Sequence, residues 1–441
     1  MTKTTETEIF WDRAAETMSR KDLEQLQASR VRGCVERLQT SGLEYYRERL
    51  NGVRPEQIRS RDDLRSLPFT EKDDLREHYP FGLFLAPQGD IVRIHASTGS
   101  TGKPTVVAYT RSDLELWADA LARGLVAGGL TRDDVFQNAY GHGLFTGGLG
   151  FHDAASRVGA AVVPTSAGNT SQQVMLMRDF GVTAFGATPS YALYIAEVAE
   201  EEGVDPHSLP VRAAFLGAES MSEEMEREIE DRMGIAVYEQ YGLSEIIGPG
   251  VASACGRSEG MHVWEDLFVP EIVDPESGEP LPDGEVGELI LTAPTKEAFP
   301  VLRYRTRDLA WLTREGCPCG RTSARISRIL GRTDDMLIVR GVNLFPSQVE
   351  HALLGVEGLE PHYQLVLSTR EDHQDELRVR VEMAQDVAQQ EPEAHEALEA
   401  RVSETLQEAL GLTPTVELAS PQTVPRSEGK AVRVVDERTS D

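Results

Sequence analysis

The stretch Ile94-His95-Ala96-Ser97-Thr98-Gly99-Ser100-Thr101-Gly102-Lys103-Pro104 sets small hydroxyl residues, glycines and one lysine between two strand-like segments. Glycine lets backbone N–H groups approach an anion closely, the Ser and Thr hydroxyls add donors, and Lys103 adds a mobile positive charge. The stretch reads as a loop that grips phosphate; an exposed turn is the plainer alternative. A Walker A loop would continue from its lysine into Ser or Thr and then a helix. Here Lys103 runs into Pro104 and the β-branched Thr105-Val106-Val107-Ala108-Tyr109. The loop therefore joins strand to strand, and a P-loop NTPase does not fit.

Working outward, the first ninety residues read as helical and polar, with one helix starting behind a threonine cap in Pro68-Phe69-Thr70-Glu71-Lys72-Asp73-Asp74-Leu75. Downstream, Ser112-Asp113-Leu114-Glu115 has capping-box spacing and opens a helix toward Gly124. Strand-like Ala161-Val162-Val163, Ala184-Phe185-Gly186 and Ala213-Ala214-Phe215-Leu216 then alternate with helices over 190–202 and 222–233. That alternation predicts a mostly parallel sheet covered by helices. In such sheets ligands bind beyond the C-terminal strand ends. The loops Gly217-Ala218-Glu219 and Glu239-Gln240-Tyr241-Gly242-Leu243-Ser244-Glu245 fall there. From about residue 268 the pattern turns β-rich. A break at Gly331-Arg332-Thr333-Asp334-Asp335 precedes a unit with strands over 336–339, 364–367 and 377–381 and helices over 346–354 and 394–410. Its length suits a small domain.

The chain has 441 residues and a formal charge of −29, which argues against nucleic acid or an anionic membrane as partner, since both require a basic footprint. No apolar run approaches the roughly 20 residues of a membrane helix, and the N-terminus lacks a secretory pattern. The cytoplasm is the expected location.

Six segments in order resemble the adenylate-forming superfamily of acyl-CoA ligases, peptide-synthetase adenylation domains and luciferases, and most of all its phenylacetate-CoA ligase group. They are 95–104; Tyr140-Gly141-His142-Gly143-Leu144-Phe145-Thr146-Gly147-Gly148; 241–245; Tyr304-Arg305-Thr306-Arg307-Asp308; 331–335 with Arg340-Gly341-Val342-Asn343-Leu344-Phe345-Pro346; and Pro425-Arg426-Ser427-Glu428-Gly429-Lys430-Ala431. The resemblance implies an α/β fold. A large N-terminal adenylate-forming domain (1–331, α/β sheets plus a β-rich subdomain) is expected, then a hinge (332–335) and a smaller mobile α+β C-terminal domain (336–441).

It also implies a reaction in which a carboxylate attacks the α-phosphate of ATP to give an acyl-adenylate and pyrophosphate, and a thiol then displaces AMP. Two anions must meet in the first step, so cations have to offset their repulsion. By resemblance, Ser97, Thr98, Gly99, Ser100, Thr101, Gly102 and Lys103 hold the triphosphate, and Glu245 places Mg²⁺. Asp308 and Arg332 take the ribose, and Lys430 reaches the α-phosphate. Gly217, Ala218, Glu219, Glu239, Gln240, Tyr241, Gly242 and Ser244 complete the nucleotide site. Tyr140, His142, Phe145, Gln240 and Pro249 line the acid pocket, Asp334 is the hinge, and Gly341 approaches the CoA channel. The expected partners are an aryl carboxylic acid, ATP and CoA, with a carrier-protein pantetheine as the alternative acceptor and a homodimer as the assembly. A non-catalytic nucleotide-binding protein is the rival from another class.

Plainer readings stand beside these roles. Lys430 alone would pass for a solvated tail lysine. Glu245 could cap a helix at Ser244, Asp308 could pair with Arg305 or Arg307, and Tyr140 and Phe145 could be core aromatics. Gln240 and His142 stand where phenylacetate ligases commonly carry an apolar residue and a tyrosine. Buried polar groups need partners, so a polar ring substituent on the acid is expected.

Of four cysteines, Cys34 stands alone in a helical stretch. Cys255, Cys317 and Cys319 with His262 supply three sulfurs and an imidazole, the set of a closed tetrahedral zinc site. Reduced cysteines in a cytoplasmic enzyme are the competing reading.

Overall fold

The β-branched run after Pro104 forms a strand: Val106–Tyr109 pairs antiparallel with Arg93–Ala96 and closes a hairpin around the glycine loop. The computed structural model describes residues 9–97, 103–340, 342–369 and 375–438. Thr98 to Gly102 and Gly341, named above for the phosphate loop and the CoA channel, lie outside the described residues.

Strand and helix alternation produces the expected parallel sheet, in the spatial order Ala236–Leu243, Ala213–Gly217, Ala184–Ala187, Val135–Asn138, Ala161–Val163. Successive side chains of a strand point to opposite faces. Ala214 and Leu216 accordingly join one core with Tyr191, Ile195, Met225 and Ile229 of helices Pro189–Glu201 and Glu223–Met233. Ala213 and Phe215 join another with Leu121, Leu125 and Phe151 of helices Arg111–Ala127 and Thr146–Val158. The sheet does not stop at its parallel part. It continues antiparallel through Gly248–Ala254, Met261–Val263, Arg325–Ile326 and Leu312–Thr313. The β-rich region contributes a second, four-stranded antiparallel sheet of Val269–Val273, Gly287–Ala293, Val301–Ala310 and Gly331–Arg332.

Two helix starts differ from the sequence reading. Thr70 is not a cap: its hydroxyl donates to the Leu302 carbonyl (2.7 Å), and a box of Glu71 and Asp74 opens helix Lys72–Glu77. Thr110, not Ser112, caps helix Arg111–Ala127, in a box with Asp113. The same Asp113 carboxylate accepts from the backbone N–H groups of Glu297 (2.6 Å) and Ala298 (2.9 Å), so a distant segment sets where this helix begins.

Past Gly331 and Arg332 lies a separate core, built from Leu365, Val379 and Val381 against Val349 and Leu353 of helix Pro346–Leu354 and Leu398, Val402 and Leu406 of helix Pro392–Leu410. Its four-stranded sheet runs Thr415–Ala419, Asp375–Met383, Leu359–Thr369, Val434–Asp436. Its seam with the rest of the chain is polar. Arg426 pairs with Glu197 (3.0 Å), which also meets His362. His351 Nδ1 meets Glu224 Oε2 (3.0 Å), and the Ser347 hydroxyl donates to the Leu330 carbonyl (2.7 Å). Seams of this kind permit relative motion. Among the described residues no helix is long and apolar enough to cross a membrane.

Candidate active site

The first five segments are joined in series by hydrogen bonds, and the sixth is held by residues that follow the parallel strands Ala184–Ala187 and Ala213–Gly217. Ser97 N–H donates to the Thr105 carbonyl (2.9 Å) and Thr105 N–H to Ser97 Oγ (3.1 Å), pinching the neck of the glycine loop. Lys103 is exposed, with Nζ 5.3 Å above the Tyr79 ring. Ala96 N–H donates to the Leu144 carbonyl (3.0 Å), binding the loop to the second segment, and Thr146 Oγ1 lies 3.1 Å from Ser244 Oγ, binding that to the third. Glu245 is buried in the turn after strand Ala236–Leu243; no helix starts there for it to cap.

Each oxygen of the Asp308 carboxylate has one partner. Its Oδ2 accepts from the Tyr241 hydroxyl (2.6 Å) and its Oδ1 from Arg332 Nη1 (2.5 Å). Burial pushes the Asp308 carboxyl above its ordinary range, while Arg332 and then Tyr241 hold it down. The pairing with Arg305 or Arg307 does not occur: Arg305 is bound to Glu288 and Arg307 to Glu71 (2.8 Å). Arg332 also forks onto Asp334 (2.9 and 3.0 Å), so one guanidinium links the ribose candidate to the hinge candidate.

The Lys430 loop is latched by its backbone. Gly429 carbonyl accepts from Thr188 Oγ1 (3.0 Å) and Ser190 Oγ (3.3 Å), and Ala431 N–H donates to Glu219. The Lys430 side chain itself is exposed. Glu219 thus serves as a latch to the C-terminal unit and also accepts from Ser190 Oγ (3.0 Å). Its neighbour Ala218 has φ +72°, and a Cβ on Gly217 would collide with the Gln240 carbonyl, so this loop is tight and strained.

Among the pocket candidates, Tyr140 is a core aromatic, stacked on Phe151 (4.5 Å) with its hydroxyl donating to the Phe215 carbonyl (3.2 Å). Phe145 is half-exposed at the start of helix Thr146–Val158, and the Pro249 carbonyl accepts from Trp117 Nε1 (2.8 Å). Gln240 needs no polar ligand. Strand register sets it opposite Ser253, whose hydroxyl donates to Gln240 Oε1 (2.7 Å) beneath Gly124. Gln240 therefore gives no reason for a polar group on the acid. His142 still calls for one: its Nε2 is buried without a hydrogen-bond partner among the described residues, and burial lowers its pKa.

Burial pushes the Glu239 carboxyl up to about 7, with Arg328 (3.9 Å) pulling it back and Glu226 adding to the rise. A carboxyl raised in the folded chain stabilises in acid, and that contribution is lost as pH climbs from its ordinary 4.5 through about 7. Between about pH 5 and pH 8 the loss is about 2 kcal/mol. Glu239→Gln is expected to remove it, measured as urea-unfolding free energy at both pH values.

Sequence reasoning missed Lys296. It is fully buried, its Nζ has no hydrogen-bond partner among the described residues, and it lies 4.8 Å over Tyr109 and 5.4 Å over Phe299. Burial pushes it down to about 8, opposed by Asp113 and Glu245. Its rarity was the available signal, as one of six lysines set in a polar Thr-Lys-Glu run after a strand. Thr188 and Ser190 were missed because nothing local marks them as partners of a loop 239 or more residues away.

The cysteine set closes at another place. Cys255 Sγ and Cys317 Sγ are 3.7 Å apart, Cys319 Sγ is 3.3 Å from His262 Nε2, and the four ligand atoms all lie within 4.8 Å of one another. The contact with Cys255, and then the His262 imidazole, holds the Cys319 thiol well below the usual thiol range.

The AMP-binding enzyme family matches residues 25–296, and the AMP-binding enzyme C-terminal domain family matches 341–438. The phenylacetate-coenzyme A ligase of Thermus thermophilus is 46% identical over 440 residues, 96% of this chain and 98% of that one. That of Pseudomonas putida is 44% identical, covering 96% of each. Among solved structures, 2-hydroxyisobutyryl-CoA ligase in the postadenylation state with 2-HIB-AMP superposes with a TM-score of 0.92 at 29% identity, over 98% of this chain and 93% of that one. The same ligase in its thioesterification state, with 2-HIB-AMP and CoA, superposes with 0.73 at 30% identity, over 98% of this chain and 94% of that one. The two units of this chain are therefore arranged like the first state of that protein. With matches that run almost end to end, the chain belongs to the adenylate-forming superfamily of AMP-binding enzymes, in its phenylacetate-CoA ligase group.

Proposed function

We propose that the chain is an ATP-dependent aryl-acid–CoA ligase: it converts the acid to an acyl-adenylate with release of pyrophosphate, then passes the acyl group to the thiol of CoA. The observation that carries the reading is the latch of Gly429 and Ala431 onto Thr188, Ser190 and Glu219. It holds a loop bearing an exposed lysine, with no ion pair among the described residues, beside the strand ends where Asp308, Tyr241 and Arg332 meet.

Asp308 has lone pairs left after Tyr241 and Arg332 and uses them for the ribose hydroxyls. Ser97, the hydroxyls of residues 98–101 and Lys103 bind the phosphates. Glu245 fits a divalent cation: its carboxylate is buried and forms no ion pair among the described residues, so Mg²⁺ held there with the phosphates would draw charge from the leaving pyrophosphate. Lys430 reaches the α-phosphate and acid oxygens while their negative charges come together, and must withdraw before a thiol enters. We place the hinge for that withdrawal at 332–335, between units of 1–331 and 336–441, with Asp334 as the residue that absorbs the turn. The Gly341 loop then approaches the thiol's channel. Cys255 lies after a strand antiparallel to Ala236–Leu243, at the opposite end of the sheet, so the cysteine set stands apart from this chemistry. None of the four cysteines is in a disulfide, which suits a reducing cytoplasm.

The test is exchange of labelled pyrophosphate into ATP with a panel of acids, followed by thioester formation. Arylacetic acids are expected to drive exchange, and free CoA to be acylated. Exchange without CoA acylation but with loading of a carrier protein would change the acceptor, and no acid-dependent exchange would end the reading. Within the panel, ring-hydroxylated acids are expected to exceed phenylacetate in kcat/KM, and His142→Phe to erase that preference.

A further inference from the structure

At the far edge of the nine-stranded sheet, Cys255 follows strand Gly248–Ala254 and His262 is central in strand Met261–Val263. Cys317 and Cys319 occupy the loop between Leu312–Thr313 and Arg325–Ile326. All four are buried. A tetrahedral zinc, with Zn–S near 2.3 Å and Zn–N near 2.0 Å, keeps neighbouring ligand atoms roughly 3.5–3.8 Å apart. The separations of 3.7 Å for Cys255 to Cys317 and 3.3 Å for Cys319 to His262 are close to that spacing before any ion draws the groups together.

The surroundings of the set fit the same ion. Two of the sulfurs have polar neighbours: the Ser258 hydroxyl lies 3.1 Å from Cys317 Sγ, and the Arg321 N–H donates to Cys319 Sγ (3.5 Å). Ser323 Oγ sits 3.2 Å from His262 Nδ1, which orients the ring with Nε2 toward the sulfurs.

The loop that carries Cys317 and Cys319 goes directly on to grip the N-terminal segment. Thr322 N–H donates to the Glu16 carbonyl (3.1 Å), the Thr322 hydroxyl donates to the Met18 carbonyl (2.6 Å), and Arg20 Nη2 donates to the Thr322 carbonyl (2.9 Å). Arg321 pairs with Glu16 at 2.7 Å with side chains 1% and 0% exposed, and its guanidinium lies 4.9 Å over Phe10. A buried ion pair requires fixed geometry to offset desolvation. The nearest fixed point along the chain is two residues back, at Cys319.

We propose that Cys255, His262, Cys317 and Cys319 bind one Zn²⁺ in a closed structural site, and that this knot fixes the 317–323 loop so that Arg321 and Thr322 staple the segment around Glu16 to the sheet edge. Four protein ligands leave no position for water or substrate, so the ion performs no chemistry. The inference does not depend on which acid or thiol the enzyme uses.

Full-length protein purified without chelator is expected to carry about one equivalent of zinc, and cobalt(II) exchanged into it to show the intense absorption of a tetrahedral thiolate site. Cys317→Ser is expected to bring zinc below about a tenth of an equivalent, whereas Cys34→Ser, at a buried cysteine outside the set, retains it all. Chelator-stripped wild-type protein reports the staple: amides of residues 9–20 are expected to exchange at least about tenfold faster, with helix Pro392–Leu410 unchanged. Under about a tenth of an equivalent in wild-type protein overturns the site. Unchanged exchange at 9–20 after stripping overturns the staple. Both readouts use the wild-type chain, so a Cys317→Ser variant that fails to fold does not blunt the test. Zinc-loaded protein without acid-dependent exchange would count against the ligase reading and leave this one standing.

Discussion

Lys430→Ala is expected to slow carboxylate-dependent pyrophosphate exchange by about 10²–10³-fold, the usual consequence of deleting one charged group aimed at a transition state. The loop survives the change, because its latch uses the Gly429 carbonyl and the Ala431 N–H. The Lys430 side chain is exposed, so folding stability should move by no more than about 0.5 kcal/mol. The loss then reports the ammonium alone. On the proposed reading, in which the lysine withdraws before the thiol enters, acyl-CoA formation from a preformed acyl-adenylate and CoA should persist within about threefold. Equal loss in both half-reactions would mean that Lys430 holds the fold or the thiol rather than the phosphate. Lys430→Arg is expected to recover only part of the rate, as a planar fork does not replace a compact point charge.

Asp308→Ala is expected to lower kcat/KM for ATP by about 10²–10³-fold, through loss of two charge-assisted hydrogen bonds of about 1.5–3 kcal/mol each, partly replaced by water. Stability should fall as well, by about 1–3 kcal/mol, because the buried Tyr241 hydroxyl loses its acceptor. Arg332 is not stranded, since its fork onto Asp334 remains. Asp308→Asn retains the shape and one acceptor and should fall between. Exchange rates titrated with ATP, beside urea unfolding, separate the two effects. A KM for ATP within about threefold of wild type would remove Asp308 from the ribose site.

Much of the architecture was legible locally. The strand after Pro104, the alternation from residue 161 onward, the β-rich region near 268 and the small unit beyond Gly331 each follow from side-chain period and turn chemistry within a dozen residues. The antiparallel continuation of the main sheet was not legible, because two of its four strands have only two residues each. A pair carries no period.

The sequence by itself determined the order of six motifs, the residue types that can meet phosphate, ribose and metal, and the alternating elements that bring them to one edge. Only the tertiary structure decided the partners. Strand register joined Asp308 to Arg332, while alternation along the strand sent Arg305 and Arg307 to carboxylates elsewhere. Register likewise gave Gln240 its Ser253, and Asp113 its two distant N–H groups settled the start of a helix. The same folding step buried Lys296 near Glu245 and drew three sulfurs and an imidazole within 4.8 Å. Such pairings join residues tens to hundreds of positions apart. No local rule of spacing reaches that far; it is the closing of the sheets and cores that selects among them.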